Sequence, residues 1–583
     1  MKYHIHLGNT LQSKVAHFVS LYVGIPEESI HLDSKEDLDC EYPVCVMRDE
    51  GLVVSGLCHA ARQSIKFACS NSTVEGRKQK FESLLGYKQN CLKANAVVSN
   101  WTRFCEVTFP NAIIKFIKDL KSQPSTVIIP EELIALEKEF AIPKKTPNPM
   151  KYFKGRKKDA LKTKDSIDLK IIPCDSIETV WYRCKFGTEQ PIKISKMDRI
   201  IDFENINSKK DINWPFLSGL NLTVLDLIVL AGFLELFAEV CSLKLMKKLL
   251  EKLPCIEKWI LNCFSCEELF PPIIQIWSNH LDQNVGNTEI IMPTNEEEIK
   301  HVSFTEKSGN PKQVHAKITK ALPTIKNILE QHRLNSIGFG ENNENKTISW
   351  EDFPNEVDPS GGELNPDRSK RKRQQIENMV SRILPLLRTG DKIVEFCAGG
   401  GHLGIVVAYL RPDCQVVLLD NKEESMNRAC SRIKSLGLKN VTFYLTNLEY
   451  YNGSFDIGTT LHACGTATDL VLKKCINDRS SFVIAPCCYG GIRSTTDILY
   501  PKSTKFKCLE PDFYHILAHS ADQTNNNPLS EYNIQGKNSM ILVDLDRKLH
   551  AMEKGNYNEI DILTMDPVTC SPKNNMIVGT MNR

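Results

Sequence analysis

The chain has 583 residues, of which 42% are hydrophobic and 25% charged, and its formal net charge is +2. This composition is typical of a globular protein with more than one domain, and the small net charge excludes an overall field that attracts nucleic acid or a membrane. The 21 cysteines follow no short repeating spacing, which is typical of reduced thiols in a cytosolic or nuclear protein. The N-terminus lacks the apolar core of a signal peptide. The apolar stretch 222–243 carries three acidic residues, so we interpret it as a buried helix and not as a membrane span.

Four regions differ in their hydrophobic patterns. Residues 1–70 alternate short apolar runs with one helical pattern, and residues 71–280 are mostly helical, with a basic insertion near 143–215. Residues 281–365 contain few long apolar runs and several turn clusters, which is typical of a linker. In residues 366–583, helical patterns alternate with short β-branched runs, as in a mainly parallel sheet covered by helices. The sequence therefore predicts a multidomain α/β protein.

The first region contains a strand, a turn, a second strand and a helix. Pro43 opens the first strand, the turn follows at 49–51, and Ser55 precedes the helical pattern. This order resembles the second half of the thioredoxin-like domain of glutathione transferases. In that family the proline is cis and the serine holds the γ-glutamyl carboxylate of glutathione, because helix N-termini bind anions. An ordinary hairpin followed by an N-capped helix would give the same pattern.

Two motifs of the second region extend this resemblance to the all-helical domain of glutathione transferases. Thr223 and Asp226 have the spacing of a reciprocal N-capping pair, and a segment with proline and tryptophan follows at 253–260. A transferase needs a side chain after the first strand that activates the thiol of glutathione, and Thr10 and Ser13 are poor candidates for that task. We therefore expect no glutathione transferase activity and interpret this degenerate module as a unit for docking or self-association.

The strongest motif in the chain is KIVEFCAGGGHLG, residues 392–404. An apolar strand ends in a glycine-rich turn that opens a helix. In this order the backbone passes close to a ligand and the helix N-terminus binds the carboxylate of that ligand. Gly399, Gly401 and Gly404 also fit the dinucleotide fingerprint, so the turn alone does not choose between NAD and S-adenosylmethionine.

Features around the turn favour S-adenosylmethionine. Residues 395–401 resemble the E/D-x-G-x-G-x-G motif of S-adenosylmethionine-dependent methyltransferases, with Cys397 in place of the first glycine. Asp420 ends the next strand, where an acidic side chain accepts both ribose hydroxyls, and Asn447 lies where methyltransferases often contact the adenine amino group. The resemblance implies a Rossmann-like domain with S-adenosylmethionine as its cofactor. The expected cofactor-binding residues are Glu395, Cys397, Gly399, Gly401, Asp420 and Asn447.

Two further segments follow predicted strands: LHACGTATD (461–469) and PCCYG (486–490). Open α/β sheets bind ligands at the carboxyl ends of their strands. We therefore expect both segments to lie at the edge of the sheet where a methyl acceptor would bind. His462 is the candidate general base, and Asp469, a turn into the next helix, is the candidate to orient it. Tyr489 is the candidate to stack on an unpaired nucleotide base.

The three C-terminal motifs and the layout of the chain resemble the glutathione S-transferase C-terminal domain-containing protein family of vertebrates and insects. Residues 461–469 are also similar to the H-x-C-G-x-A-T-D stretch of eukaryotic tRNA 2′-O-methyltransferases, although Leu461 stands where those enzymes have lysine. The resemblance implies a transferase-like half followed by a methyltransferase half. A later segment, 539–547, fits the antiparallel edge strand that is typical of such methyltransferases.

Several of these residues have simpler explanations. Cys464, Cys487 and Cys488 with His462 could form a zinc site. However, adjacent cysteines have poor geometry for one ion and no C-x-x-C accompanies them, so we expect no metal and interpret them as thiols packed beside the cofactor. The basic run 368–373 could be a solvated helix face, a nuclear signal or a phosphate contact.

The sequence thus predicts a cytoplasmic, S-adenosylmethionine-dependent methyltransferase that acts on RNA and carries a degenerate transferase-like module in front. The alternative is a non-catalytic interaction protein with a vestigial S-adenosylmethionine fold. The expected partners are a structured RNA substrate and a protein or a second copy of the chain, bound through the helical module. No membrane is expected as a partner.

Overall fold

One twelve-stranded sheet includes strands from both halves of the chain in the computed structural model. The structure describes residues 3–85, 101–122, 125–141, 216–217, 222–240, 242–264, 269, 272, 275–276, 288–293, 311–333, 340–341, 348–362, 364–495, 498–524 and 529–582. The basic insertion predicted near 143–215 lies outside the described residues.

The strands within the described residues are short, and apart from the separate β5–β6 pair they all belong to the large sheet. They are β1 (Tyr3–His6), β2 (Ile30–His31), β3 (Val44–Met47), β4 (Leu52–Ser55), β5 (Thr126–Ile128), β6 (Glu289–Ile291), β7 (Gly340–Glu341), β8 (Lys392–Phe396), β9 (Gln415–Asp420), β10 (Val441–Leu445), β11 (Ile457–Cys464), β12 (Ser481–Cys487), β13 (Glu559–Thr564) and β14 (Asn575–Thr580).

The α-helices of the described residues vary in length from two turns to more than six. They are α1 (Leu11–Val23), α2 (Leu57–Asn71), α3 (Glu75–Leu84), α4 (Phe109–Lys121), α5 (Glu131–Ala141), α6 (Val224–Val240), α7 (Leu243–Glu251), α8 (Pro254–Phe264), α9 (Pro311–Gln331), α10 (Pro366–Ile383), α11 (His402–Leu410), α12 (Glu423–Leu436), α13 (Thr466–Asn477), α14 (Pro511–Ala521) and α15 (Glu531–Lys554).

The C-terminal half forms a Rossmann-like sheet with the strand order β10-β9-β8-β11-β12-β14-β13. The strands from β10 to β12 are parallel to their neighbours in this order, and β14 is antiparallel to both β12 and β13. Helices cover the parallel strands, which is why β9 and β12 are nearly continuous runs of buried side chains. This arrangement confirms the Rossmann-like α/β fold that the sequence predicted for this half.

The antiparallel edge strand was predicted in the wrong place. Residues 539–547 lie inside α15, and the strand antiparallel to β12 is β14, further along the chain. Met540, Val543 and Leu545 of this helix are buried in the core of the C-terminal half. A short apolar run does not distinguish a buried helical segment from a buried strand by its period, and this ambiguity is the reason for the error.

A small unit made of β1, α1, β2, β3, β4 and α2 continues the sheet on its other side. β2 is parallel to β1, and β3 is antiparallel to both β1 and β4. Phe18 of α1 and Ile65 of α2 are buried in the core of this unit. The Tyr42–Pro43 peptide bond, directly before β3, is cis, as the sequence predicted.

The apolar stretch 222–243 forms a buried helix, as predicted. Every residue of α6 except one is buried. Asp226 in its first turn accepts hydrogen bonds from the backbone N–H groups of Thr223 (2.9 Å) and Leu217 (2.7 Å) and from the indole N–H of Trp259 (3.0 Å). These bonds compensate for the burial of the carboxylate. No helix of the described residues is long and apolar enough to cross a membrane.

The region 281–365, predicted to be a linker, contributes the long helix α9. Ile318, Leu322 and Ile325 of this helix are buried in the core of the C-terminal half, together with Leu517 of α14. Apolar residues at this spacing form one face of an amphipathic helix. The helix was missed because polar residues separate the members of this face, so the region contains few long apolar runs.

The two halves of the chain are joined where β4 pairs with β10. The two strands run parallel, with Val54 opposite Leu445. Leu445 belongs to the hydrophobic core of the N-terminal half, although it lies in the C-terminal half of the sequence. The ring of His59, in α2, lies 3.1 Å from the carbonyl oxygen of Asn421 after β9. The N-terminal unit therefore covers a strand that would otherwise be an exposed edge.

We expect Leu445→Ala to destabilise both halves of the chain together. Leu445 is 2% exposed, and a buried leucine-to-alanine change costs about 2–5 kcal/mol because a cavity remains. Hydrogen exchange followed by mass spectrometry should show faster exchange in β3 and β4 as well as in β10. Leu472→Ala, at a buried position of α13, is the control. Exchange in β3 and β4 that stays at the wild-type rate in Leu445→Ala would contradict the shared core.

Candidate functional site

The candidate site lies at the carboxyl ends of the parallel strands. The strand order reverses between β8 and β11, since the chain continues from β8 to β9 on one side and enters β11 on the other. Open α/β sheets form a ligand crevice at such a point. Asp420 ends β9, Asn447 follows β10, and Glu395 and His462 lie near the ends of β8 and β11. The fold therefore brings these predicted site residues to one edge.

The glycine-rich turn after β8 has residues that face open space and residues that pack against the protein. Cys397 and Gly399 both have a φ of 55°, a conformation that favours glycine, so Cys397 keeps the turn at some cost in strain. A Cβ atom at Gly399 would meet nothing within 4 Å, whereas Cβ atoms at Gly401 and Gly404 would lie 2.9 and 2.2 Å from Leu418. Gly399 thus leaves room for a ligand, and the lack of a side chain at Gly401, also predicted to bind the cofactor, permits close packing against Leu418.

Asp420 is held in place beside this turn. Its carboxylate accepts hydrogen bonds from the backbone N–H groups of Gly399 (2.8 Å) and Lys422 (2.7 Å). Each carboxylate oxygen has a further lone pair, so both can still accept a hydroxyl. Asn447 lies nearby, and its side-chain oxygen accepts a hydrogen bond from the side chain of Asn421 (3.2 Å). The side chain of Asn447 is therefore hydrogen-bonded to the residue that directly follows Asp420.

Glu395 is buried behind the turn. Its carboxylate accepts a hydrogen bond from the backbone N–H of Gly404 (2.7 Å) at the start of α11. Burial raises the pKa of Glu395 to about 8, although the bond from Gly404 and the charge of Lys372 oppose this shift. The neutral acid therefore predominates near pH 7. In this position Glu395 fixes the helix start and does not reach the open side of the turn.

The basic run 368–373 lies in α10, so its side chains point in different directions around the helix. Arg368, Lys370 and Arg371 are exposed, whereas Arg373 forms an ion pair with a buried aspartate. Lys372 is turned toward the site, where it interacts with Glu395, and burial lowers its pKa. Sequence reasoning missed Lys372 as a site residue, because nothing in a run of basic residues distinguishes the member that faces inward.

His462 occupies an irregularity in β11. The register with β12 shifts between Leu461 and Ala463, and His462 has a φ of 74°. A bulge of this kind re-aims a side chain, and non-glycine residues with positive φ are concentrated at functional sites. The backbone geometry therefore supports a specific placement of this imidazole.

Gln375 of α10 determines the tautomer of His462. The side-chain N–H of Gln375 donates to the carbonyl of Cys570 (2.8 Å), so its oxygen, 3.0 Å from His462 Nε2, accepts from that nitrogen. Nδ1 of His462 is then the ring atom that carries a lone pair. Burial lowers the pKa of His462 to about 4, with help from the charge of Lys372. The imidazole is therefore neutral near pH 7 and a weaker base than a free histidine.

Asp469 and Tyr489, two of the predicted catalytic residues, lie in the core. The carboxylate of Asp469 accepts hydrogen bonds from Arg547 (2.8 Å) and from the hydroxyl of Tyr500 (2.7 Å). The hydroxyl of Tyr489 donates to Asp544 (2.8 Å), which also binds Arg547. All these charged groups are buried, and a buried charge without a partner would strongly destabilise the fold.

The geometry does not support the roles predicted for this pair. Asp469 faces α15 and is bound by Arg547, so it does not orient His462. Tyr489 is 0% exposed, and a buried ring has no free face on which a nucleotide base could stack. The prediction rested on closeness in the sequence, whereas the direction of each side chain depends on a helix far along the chain. Gln375, which carried no sequence signal, has the orienting position.

The helix start at which the resemblance implied a glutathione carboxylate is filled by the protein's own Glu106. Its carboxylate accepts hydrogen bonds from the backbone N–H groups of Leu57 (2.9 Å) and Cys58 (2.6 Å), in the first turn of α2. Tyr450 of the C-terminal half donates to the same carboxylate (3.3 Å). Ser55 donates its hydroxyl to a backbone carbonyl (2.6 Å). The groups that would hold the ligand are therefore already satisfied.

We expect Asp469→Ala to lower stability and not to remove a catalytic group. The substitution takes a partner from the buried guanidinium of Arg547, and breaking a buried pair costs about 3–5 kcal/mol. Urea unfolding measures this loss. Tyr500→Phe, which removes one hydrogen bond to the same carboxylate, should cost only about 1 kcal/mol. An Asp469→Ala protein as stable as the wild type would show that the pairing is not structural.

Comparison with known proteins places this geometry in a family. A family model described as a methyltransferase domain matches residues 371–495, which include the glycine-rich turn and the segments around His462 and Tyr489. A Bacteroides fragilis protein named ribosomal RNA small subunit methyltransferase G is 27% identical over 24% of this chain and 75% of its own length.

Several relatives match nearly the whole chain. The human glutathione S-transferase C-terminal domain-containing protein is 33% identical, over 95% of this chain and 89% of its own length. The homologue from Drosophila melanogaster is 29% identical, over 91% of this chain and 84% of its own length. Because the match to the human protein extends through both the N-terminal unit and the methyltransferase-like sheet, the chain belongs to the glutathione S-transferase C-terminal domain-containing protein family.

Proposed function

We propose that the chain is a cytoplasmic, S-adenosylmethionine-dependent methyltransferase that acts on RNA. The observation that carries this proposal is the geometry after β8, where the backbone of Gly399 borders open space and donates its N–H to the fixed carboxylate of Asp420. The methyltransferase-domain match covers this turn and the strand ends that face it. A Rossmann-like sheet alone would not distinguish S-adenosylmethionine from a dinucleotide, so this match supports the choice of cofactor.

The residues around the turn fit S-adenosylmethionine, which supplies the methyl group. The open space at Gly399 would receive the methionine part, and Lys372 would supply a positive charge for its carboxylate. The remaining lone pairs of Asp420 suit the ribose hydroxyls. Asn447 has an amide for the adenine amino group. The carboxylate, the ribose hydroxyls and the adenine amino group of the cofactor would thus each have a partner of suitable chemistry.

We assign to His462 the removal of a proton from the acceptor. Its lone pair lies on Nδ1, because Gln375 holds the other ring nitrogen as a donor. A neutral imidazole near pH 7 is ready to take a proton. Gln375 is the positioning residue in this scheme, in place of Asp469.

The acceptor proposed is a structured RNA. Arg368, Lys370 and Arg371 are exposed on α10, the same helix that brings Lys372 and Gln375 to the site. Exposed cations beside a catalytic cleft suit the phosphates of a nucleic acid. The similarity to a protein named as a ribosomal RNA methyltransferase also supports this class of substrate.

The N-terminal unit is proposed to be a thioredoxin-like domain that docks and does not catalyse. Its element order supports the fold. Thr10 accepts a hydrogen bond from the N–H of Ser13 (3.1 Å) and so caps α1, while the Ser13 hydroxyl accepts one from Gly8 (3.0 Å). With these hydroxyls engaged and Glu106 at the start of α2, no glutathione transferase activity is expected. Self-association or a protein partner would use the helical surface of this half.

A non-catalytic interaction protein is the second candidate. The pKa of His462, lowered to about 4 by burial, weakens the proposed base and favours this alternative. A chain of this kind would bind S-adenosylmethionine without transferring the methyl group, so binding and transfer have to be measured separately.

We expect Asp420→Ala to weaken S-adenosylmethionine binding about ten- to a hundred-fold, because a hydrogen bond to a charged group contributes about 1.5–3 kcal/mol. Isothermal calorimetry with S-adenosylmethionine, S-adenosylhomocysteine and NAD measures the effect and the choice of ligand. Asp413→Ala, which removes an exposed carboxylate before the start of β9, should bind as the wild type does. Equal binding by both variants, or tighter binding of NAD, would refute the cofactor assignment.

Incubation of the purified chain with radiolabelled S-adenosylmethionine and total cellular RNA should place label in RNA. His462→Ala should lower the rate about a hundred-fold or more, the usual contribution of a general base. His332→Ala, at an exposed position after α9, is the matched control. Label found in protein alone would exclude RNA as the acceptor, and label that is equal in His462→Ala would remove His462 from the mechanism. Cofactor binding without any transfer would favour the non-catalytic alternative.

A further inference from the structure

Three cysteine thiols meet at the ends of β11 and β12. The sulfur atoms of Cys464, Cys487 and Cys488 all lie within 4.8 Å of one another, and those of Cys464 and Cys487 are 3.3 Å apart. Cys464 and Cys488 are exposed and Cys487 is buried. The cluster is therefore open to solvent on one side and anchored in the sheet on the other.

The backbone explains why these thiols converge. Cys464 and Cys487 are register partners on neighbouring parallel strands, so their side chains lie next to each other. Cys488 has a φ of 49°. This left-handed conformation places its sulfur close to the sulfur of Cys487. Adjacent residues of an extended strand would point to opposite faces. The objection that a Cys-Cys pair has poor geometry for one ion applies to such a strand and does not hold for this turn.

We propose that Cys464, Cys487 and Cys488 bind a zinc ion through three thiolates. Zinc takes sulfur ligands at about 2.3 Å, which places the sulfur atoms of a tetrahedral site about 3.8 Å apart. The Cys464–Cys487 separation of 3.3 Å is slightly shorter than this value, and the other sulfur pairs are at most 4.8 Å apart, so small side-chain rotations would complete the geometry. Soft thiolate ligands select zinc over magnesium or calcium.

In the described part of the chain, no fourth histidine, cysteine, aspartate or glutamate ligand atom lies within 4.8 Å of all three sulfur atoms. Three protein ligands and one open position are the pattern of zinc sites that bind a small molecule, whereas structural sites are closed. The site therefore suits water or an exchangeable ligand at the fourth position.

The charges around the cluster suit an anionic metal complex. A zinc ion with three thiolates carries one net negative charge, and three lysines lie close enough to interact with these thiols: Lys372, Lys422 and Lys573. The carboxylate of Asp522 opposes these charges, and it is paired with Lys573 (3.2 Å). These cations would offset the negative charge of such a complex.

The principal alternative is a redox pair. A disulfide between Cys464 and Cys487 would need the sulfur atoms to approach to about 2.05 Å, from the present 3.3 Å. This reaction would remove two electrons and two protons and would need an external oxidant. It would also consume two of the three metal ligands, so the two outcomes exclude each other in the same molecule.

The test uses the full chain, purified under reducing conditions without chelator, and measures metal by inductively coupled plasma mass spectrometry. We expect about one zinc per chain. Cys464→Ser, Cys487→Ser and Cys488→Ser should each retain at least ten-fold less zinc after dialysis, since loss of a ligand sharply weakens the site. Cys430→Ser, which removes a partly buried thiol of α12, is the matched control and should keep its zinc.

Titration of the wild-type chain with Co²⁺ gives a second readout that needs no variant. Thiolate coordination should produce a sulfur-to-cobalt charge-transfer band in the near ultraviolet, and added Zn²⁺ should abolish it. Absence of this band and of bound zinc from the folded wild-type chain would overturn the proposal. So would serine variants that keep zinc, or an intact mass two hydrogens lower with a Cys464–Cys487 crosslink. These measurements do not depend on methyl transfer, so the zinc site and the proposed enzymatic activity stand or fall separately.

Discussion

The pairing of β4 with β10 is the interaction on which the arrangement of the chain depends. A strand at the edge of a parallel sheet has backbone N–H and C=O groups that need partners. In this protein β4 supplies them, and the side chain of Leu445 enters the core of the N-terminal half. Two units with different strand patterns thereby become one sheet with a shared boundary, so the N-terminal half is a structural part of the methyltransferase-like half.

The start of α2, where helix N–H groups could bind an external anion, lies at this boundary. Burial raises the pKa of Glu106, and hydrogen bonds from Cys58 and Leu57 oppose that shift. Tyr450, which follows β10, contacts the same carboxylate. A helix start that could hold an external carboxylate therefore holds an internal one, at the point where the two halves meet. The N–H groups at the helix start, which have no partner within the helix, thus help to hold the two halves of the chain together.

Three residues at the carboxyl ends of the parallel strands have a strained backbone conformation. Cys397, His462 and Cys488 all have positive φ, and they lie at the ends of β8, β11 and β12. Each such residue costs about 1–3 kcal/mol and persists only where the surrounding structure fixes it. The buried strands below them and the network around Arg547 provide that rigid support. The turn at Gly399, the imidazole and the thiol cluster are thus held on one rigid frame.

The sequence by itself determined the features that depend on local backbone chemistry. The glycine-rich turn, Asp420 at a strand end and the buried helix with Asp226 in its first turn were all predicted, because each follows from spacing, periodicity or the needs of the backbone over a few residues. The alternation of helices and β-branched runs likewise predicted the Rossmann-like half. Resemblance to a known fold, and not spacing, supplied the cis Pro43.

Only the tertiary structure decided which side chains face the site and which are bound elsewhere. Asp469 follows His462 closely in the sequence, yet its partner Arg547 is 78 residues away, and Gln375 reaches His462 from 87 residues away. The convergence of three thiols required both a strand register and a left-handed turn at Cys488. The physical reason is that side-chain partners depend on packing between elements that are distant in the sequence. A local sequence pattern does not determine that packing.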